Sequence, residues 1–154
     1  MMKRRGLLKV ALGFLLLSTS GLVGCSDSGT EPVKALEPLV GTWRAQELTL
    51  TNSANPDVSV DLIQEGATFT LAILSTGQYS ASLAAFGAAT TEVGEVTVSG
   101  SQVTIKPTSP EGPPLVATFS FQGTTLVLDG TSEYDFNQDG ITEAAQAHIE
   151  LNPI

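Results

Sequence analysis

From residue 42 onward the chain alternates apolar and polar positions with a period of two. Residues 42–51, TWRAQELTLT, are rich in β-formers. Residues 68–74 put Phe69, Leu71 and Ile73 on one face, and residues 78–86 do the same with Tyr79, Ala81 and Leu83. Val96 and Val98 mark 93–98, and Val103 and Ile105 mark 102–106. Leu115, Ala117, Phe119 and Phe121 align in 115–121, Leu126 and Leu128 in 125–129, and Ala147, Ile149 and Leu151 in 145–151. This spacing is the pattern of a strand with one buried face. Turn-forming stretches separate the runs: STGQ, SGSQ, PEGPP, QGTT and NQDG. Eight short strands in succession predict an all-β fold, an antiparallel up-and-down meander. Closure into a barrel would remove its exposed edges. Two stretches fit less simply. The alanines of SASLAAFGAAT suit a helical turn or a mobile loop as well as a strand. Residues 52–67 are long for a hairpin and are expected to cover one barrel end or to carry a short extra strand.

The N-terminal residues follow another rule. Lys3, Arg4 and Arg5 precede an apolar run from Val10 to Gly24, too short and too interrupted by Ser, Thr and Gly for a spanning helix. The run ends in Leu22-Val23-Gly24-Cys25. This order of basic, apolar and small residues before a cysteine resembles the signal peptide and lipobox of bacterial lipoproteins. The resemblance implies removal of residues 1–24, lipidation of Cys25 as the new N-terminus, and a membrane partner reached through that lipid. The alternative is a free cysteine in a signal peptide cleaved elsewhere. Cys25 is the single cysteine of the sequence, so no internal disulfide forms. Arg4-Arg5-Gly6-Leu7-Leu8-Lys9 resembles the twin-arginine export motif, with Leu7 where that family prefers an aromatic residue; an ordinary basic n-region fits as well. In the Gram-negative lipoproteins, Ser26 after the cysteine implies the outer membrane of the cell envelope, although Asp27 follows one place later.

Loss of residues 1–24 changes the charge. The whole chain carries −9; without the signal, three basic residues (Lys34, Arg44 and Lys106) stand against sixteen acidic ones, a net −13. Such a surface repels phosphate backbones, so nucleic acid is excluded as a partner, while divalent cations are attracted. For most of these carboxylates solubility is sufficient reason. Residues 25–38 comprise the lipidated cysteine and a small, polar, proline-punctuated tether. Residues 39–154 then form one domain of ordinary length, with no internal repeat evident.

Gly41-Thr42-Trp43, at the start of the first predicted strand, is similar to the Gly-x-Trp opening of the lipocalin family. The resemblance implies a lipocalin-like barrel with Trp43 closing one end, packed near a basic residue on a late strand. No Arg or Lys follows Lys106, so that basic partner is missing here. A plain core aromatic satisfies the same position.

Little in the sequence points to catalysis. His148 is the single histidine, on an alternating strand, where it fits the surface or the barrel lining. No second His or Cys completes a zinc set, and no nucleophile elbow or phosphate-cradling glycine loop is present. Asp57, Asp61 and Glu65 read as solvated loop acids. The protein is therefore expected not to be an enzyme. The exception to this blandness is YDFNQDGITEA, 134–144. With Asp135 as position one, Asn137, Asp139, the Ile141 carbonyl and Glu143 fall at three, five, seven and nine, with Gly140 at the bend. Alternating oxygens can converge on Ca2+, which takes six to eight hard ligands. Position twelve is Gln146, so this is no EF-hand; it is similar to the calcium loops of extracellular β-proteins. A polar hairpin turn built from Asn137, Asp139 and Gly140 is the competing assignment.

Two functions follow. One is a lipid-anchored binding protein with a small apolar molecule in the barrel. The other is a structural or interaction module, its barrel filled by its own side chains and one end steadied by calcium. Inward alanines (Ala81, Ala117, Ala147) would leave room, and inward phenylalanines (Phe69, Phe119, Phe121) would fill it.

Overall fold

The computed structural model describes residues 35–154; the expected signal peptide, Cys25 and most of the tether lie outside them. Nine strands follow in order: β1 (Gly41–Asn52), β2 (Ser59–Asp61), β3 (Thr68–Ile73), β4 (Gln78–Ala85), β5 (Ala88–Ser99), β6 (Gln102–Ser109), β7 (Leu115–Gln122), β8 (Thr125–Tyr134) and β9 (Glu143–Pro153). All but β2 pair in chain order, and β9 returns to β1 from Trp43↔Pro153 to Asn52↔Ala145. The result is a closed, antiparallel, eight-stranded up-and-down barrel. The eight predicted strands are all present, and closure leaves no long edge to template aggregation.

The short extra strand has a specific job. β3 pairs with β1 only from Gly41↔Ile73 to Arg44↔Thr70, while β2 takes the upper part of the same edge, Thr49↔Asp61 to Thr51↔Ser59. Asp61 fixes the turn that follows. Its carboxylate accepts from the backbone N–H of Ile63 (2.9 Å) and Leu48 (3.3 Å) and from the Gln64 side chain (2.9 Å). Burial alone would push this carboxyl up, but those donors outweigh burial and hold it below the usual range. Asp61 is thus a structural cap rather than a free loop acid.

The stretch SASLAAFGAAT is not a helical turn. It forms the β4–β5 hairpin, with Ala85↔Ala88 enclosing the two-residue turn Phe86-Gly87. Both turn residues have positive φ (52° and 80°), the geometry that matches strand twist in a tight hairpin. Its alanines face their neighbours across the sheet and give no amphipathic stripe that a helix would bury.

The barrel interior has two halves. At one end, Leu36, Leu39, Trp43, Ile73, Leu126 and Leu151 pack together, with Leu126 and Leu151 at 0% exposure. Each such leucine contributes about 1.5–3 kcal/mol. A 3-10 turn, Glu37–Leu39, brings the chain across this end. Leu36, within the expected tether, therefore packs with the barrel core. The indole of Trp43 donates to the Leu39 carbonyl (3.0 Å) and lies 6.2 Å from the Phe121 ring. Only about 10 Å³ of empty space remains among Leu39, Ile73, Val103 and Leu126, no more than one water would need.

Candidate functional site

At the other end the barrel is hollow. A cavity of about 510 Å³ opens there, inside the range of small-molecule pockets. Ala81, Ala117 and Ala147 all line it, as does Gly130, whose partner across the ladder is Ala117. Leu48, Leu50, Leu83 and Ile149 supply much of the remaining wall. Phe119 packs in the other half, while Phe121, expected to face inward, is 40% exposed at that end and meets Phe119 edge-to-face at 6.4 Å. The small inward residues thus gather at the open end, away from Phe119. Phe69 is the exception, a large ring on the cavity wall.

The mouth is shaped by uneven pairing. β6 and β7 are joined only from Gln102↔Thr118 to Ile105↔Leu115, after which β6 continues on β5 alone. Pro110, Leu115 and Val116 line the notch this leaves. On the opposite side, Leu62 from the turn after β2 is 2% exposed and packs with Leu48, Leu50 and Ala85.

One carboxylate points inward. Glu92 on β5 shares the inner face with Gly94 and Val96 and stands opposite Ala81. The Tyr79 hydroxyl donates to it at 2.5 Å. Burial first, then the Glu92 hydrogen bond and charge, push the Tyr79 phenol far above its ordinary range, so it stays a neutral donor. The tyrosine ring lies over Gly94, where a Cβ would stand 2.8 Å from the ring and 2.1 Å from the Lys106 carbonyl.

The loop joining β8 and β9 lies at the same open end. Asp135 accepts from the N–H groups of Asp139 (3.1 Å) and Gly140 (2.8 Å). Asn137 also accepts from Asp139 (2.9 Å), and Asp139 accepts from Ile141 (2.8 Å). Glu143 accepts from the Phe136 N–H (2.9 Å) and the Asn137 amide (3.0 Å). The loop is thus curled around Asp135, with its oxygens engaged by its own donors. Tyr134 and Phe136 meet edge-to-face at 5.0 Å below it.

Among the described residues, one trio of potential metal donors brings an atom from each within 4.8 Å: Glu47, His148 and Glu150. It lies on the outer wall, where a bulge between Ala45 and Glu47 sets Glu47 opposite Glu150. His148 contacts Asp129 through Nδ1 (2.6 Å) and stands 3.6 Å from Glu150 through Nε2. The Asp129 hydrogen bond raises the imidazole above its ordinary value against burial, helped by the Asp129 charge, Glu150 and Glu47. Neither Glu92 nor this trio is evident in the sequence. Glu92 sits just before the predicted start of its strand, and the trio joins residues about a hundred positions apart through a bulge.

Fold and site together define a half-filled β-barrel with an apolar cavity at one end. Compared with protein-family models, curated proteins and solved structures, the chain finds no match.

Proposed function

We propose that the protein is a lipid-anchored binding protein of the bacterial cell envelope, set in the outer membrane if the cell is Gram-negative, and that the open half of its barrel holds a small apolar molecule. The observation that carries this reading is the cavity of about 510 Å³ with a mainly apolar wall. A filled barrel, the premise of the interaction-module alternative, describes only the half behind Trp43. The chain enters the barrel at the plugged end through Leu36 and Leu39. A lipid on Cys25 would therefore connect to the domain through the end opposite the mouth.

An apolar fluorophore should bind saturably near one equivalent. Ala147→Trp, which projects an indole into the cavity, should weaken it at least tenfold. Undiminished binding in that variant places the fluorophore elsewhere. Anchoring is tested separately. Cys25→Ser should abolish incorporation of labelled fatty acid and leave unprocessed precursor; equal labelling rejects the lipoprotein reading.

The loop between β8 and β9 supports a second, separable proposal: calcium stabilises the rim. Its basis is the curl around Asp135 together with three acids, Asp135, Asp139 and Glu143, in a segment without Lys or Arg. Calcium at an affinity on the order of 10⁻⁴–10⁻³ M should raise the melting temperature. Asp139→Ala should remove that response and Asp57→Ala should not. A melting temperature unmoved by millimolar calcium assigns the loop to its turn hydrogen bonds alone.

A further inference from the structure

The cavity wall is mostly apolar; Thr90 and Thr91 on β5 and Thr131 and Ser132 on β8 add hydroxyls, and Glu92 is its one charged residue among those described. Glu92 is half-buried, and among the described residues its one hydrogen-bond donor is the Tyr79 hydroxyl on Oε1. Among the described residues no ion pair involves it. The basic residues described, Arg44 and Lys106, are exposed and do not line the cavity; Lys106 stands opposite Glu95 on the outer face. His148 is also on the outer wall, held by Asp129. A carboxylate placed against apolar surface with one oxygen unengaged is costly unless a donor or cation reaches it.

We propose that the molecule held in the cavity is a cationic amphiphile, with its apolar body against the apolar wall and a protonated amine seated on Glu92. The inference rests on the cavity-binding reading above. Three further observations favour it. Tyr79 already occupies one carboxylate oxygen and fixes the side chain, so the other is oriented before the ligand arrives. Gly94 lets the tyrosine ring lie flat against β5, since any Cβ there meets both the ring and the Lys106 carbonyl. The negative net charge of the chain concentrates cations and repels anions around the mouth. A fatty acid would bring a second carboxylate into a site that offers it no basic partner. Charge-assisted hydrogen bonds are about twice as strong as neutral ones, so the head group and not the tail sets the selectivity.

The test compares three probes of one tail length, decylamine, decanol and decanoate, titrated calorimetrically into the purified full chain below their micellar concentrations. Decylamine should bind about tenfold or more tightly than decanol, equivalent to roughly 1.4 kcal/mol, and decanoate should bind most weakly. Glu92→Gln, which keeps the shape and the Tyr79 contact, should weaken decylamine to about the level of decanol and cost decanol far less than it costs decylamine. Ala147→Trp should weaken all three, which separates cavity binding from amine adsorbed on the acidic surface. Decanoate binding as tightly as decylamine, or an amine preference that survives Glu92→Gln, overturns the inference while leaving the cavity reading standing. Failure of all three probes to bind overturns both.

Discussion

Trp43→Ala is expected to lower the stability of the barrel by about 3–5 kcal/mol, the range for removing a large aromatic from a packed core. Trp43 is 6% exposed and sits where the incoming chain crosses the plugged end. The substitution removes its contact with Phe121 and frees the Leu39 carbonyl to which the indole donates. The surrounding side chains come from several strands of a closed cylinder, so they cannot collapse far into the void. Trp43→Phe separates the two contributions. It keeps much of the apolar area and loses the hydrogen bond, for a cost of about 1 kcal/mol in the bond itself. Urea unfolding followed by far-UV circular dichroism measures both without needing the indole as reporter. A loss below about 1 kcal/mol for Trp43→Ala would mean that the plug at Leu36 and Leu39 holds without it.

Gly94→Ala should be the most damaging single-methyl addition on β5. The added carbon would stand 2.1 Å from the Lys106 carbonyl and 2.8 Å from the Tyr79 ring. The ring can swing away, but the carbonyl belongs to the β5–β6 ladder, so the backbone must move. Overpacking of this kind costs about 1–3 kcal/mol, and displacement of a ladder strand takes it to the upper end or beyond. The prediction has a second readout. Tyr79 would leave Glu92, so its phenol should titrate closer to an ordinary tyrosine, because two of the three causes that raise it come from Glu92. Urea unfolding compares the stability of the two forms, and absorbance at 295 nm over the alkaline range in which the barrel stays folded shows whether a phenol silent in the wild type begins to titrate; unchanged stability beside an unchanged curve would show that the strand accommodates the methyl.

The strands were legible because burial imposes a period of two, and the inward faces headed by Leu71, Tyr79, Ala117 and Leu151 lie as that period predicts. The period fails where geometry intervenes. On β1 the inward positions run Trp43 and Ala45, then Leu48 and Leu50, because the bulge before Glu47 shifts the phase. No propensity announces that shift. Glu92 was hidden for a related reason: a carboxylate on an inner face carries no apolar signal, so β5 read as starting after it. The cavity was legible only as a question. Ala81, Ala117, Gly130 and Ala147 come from β4, β7, β8 and β9, and they make one space because the barrel's stagger sets them at a common height. The plug was missed because the prolines at 32 and 38 made residues 25–38 look like tether throughout, while burial of Leu36 depends on a surface that exists only in the closed barrel.

Closure through β9 has a cost in time. Its partners are β8, next to it in the chain, and β1, about a hundred residues earlier. Until β9 docks, β1 and β8 are both bare edges and the aliphatic interior is open to solvent. The step that removes these hazards is thus the one with the longest sequence separation, which makes folding slow for the chain's length. A nascent chain cannot complete it before residue 153 is free to pair. During that interval the −13 charge of the region after residue 24 keeps half-formed barrels apart. The acidity therefore protects the protein when it is least able to protect itself by structure.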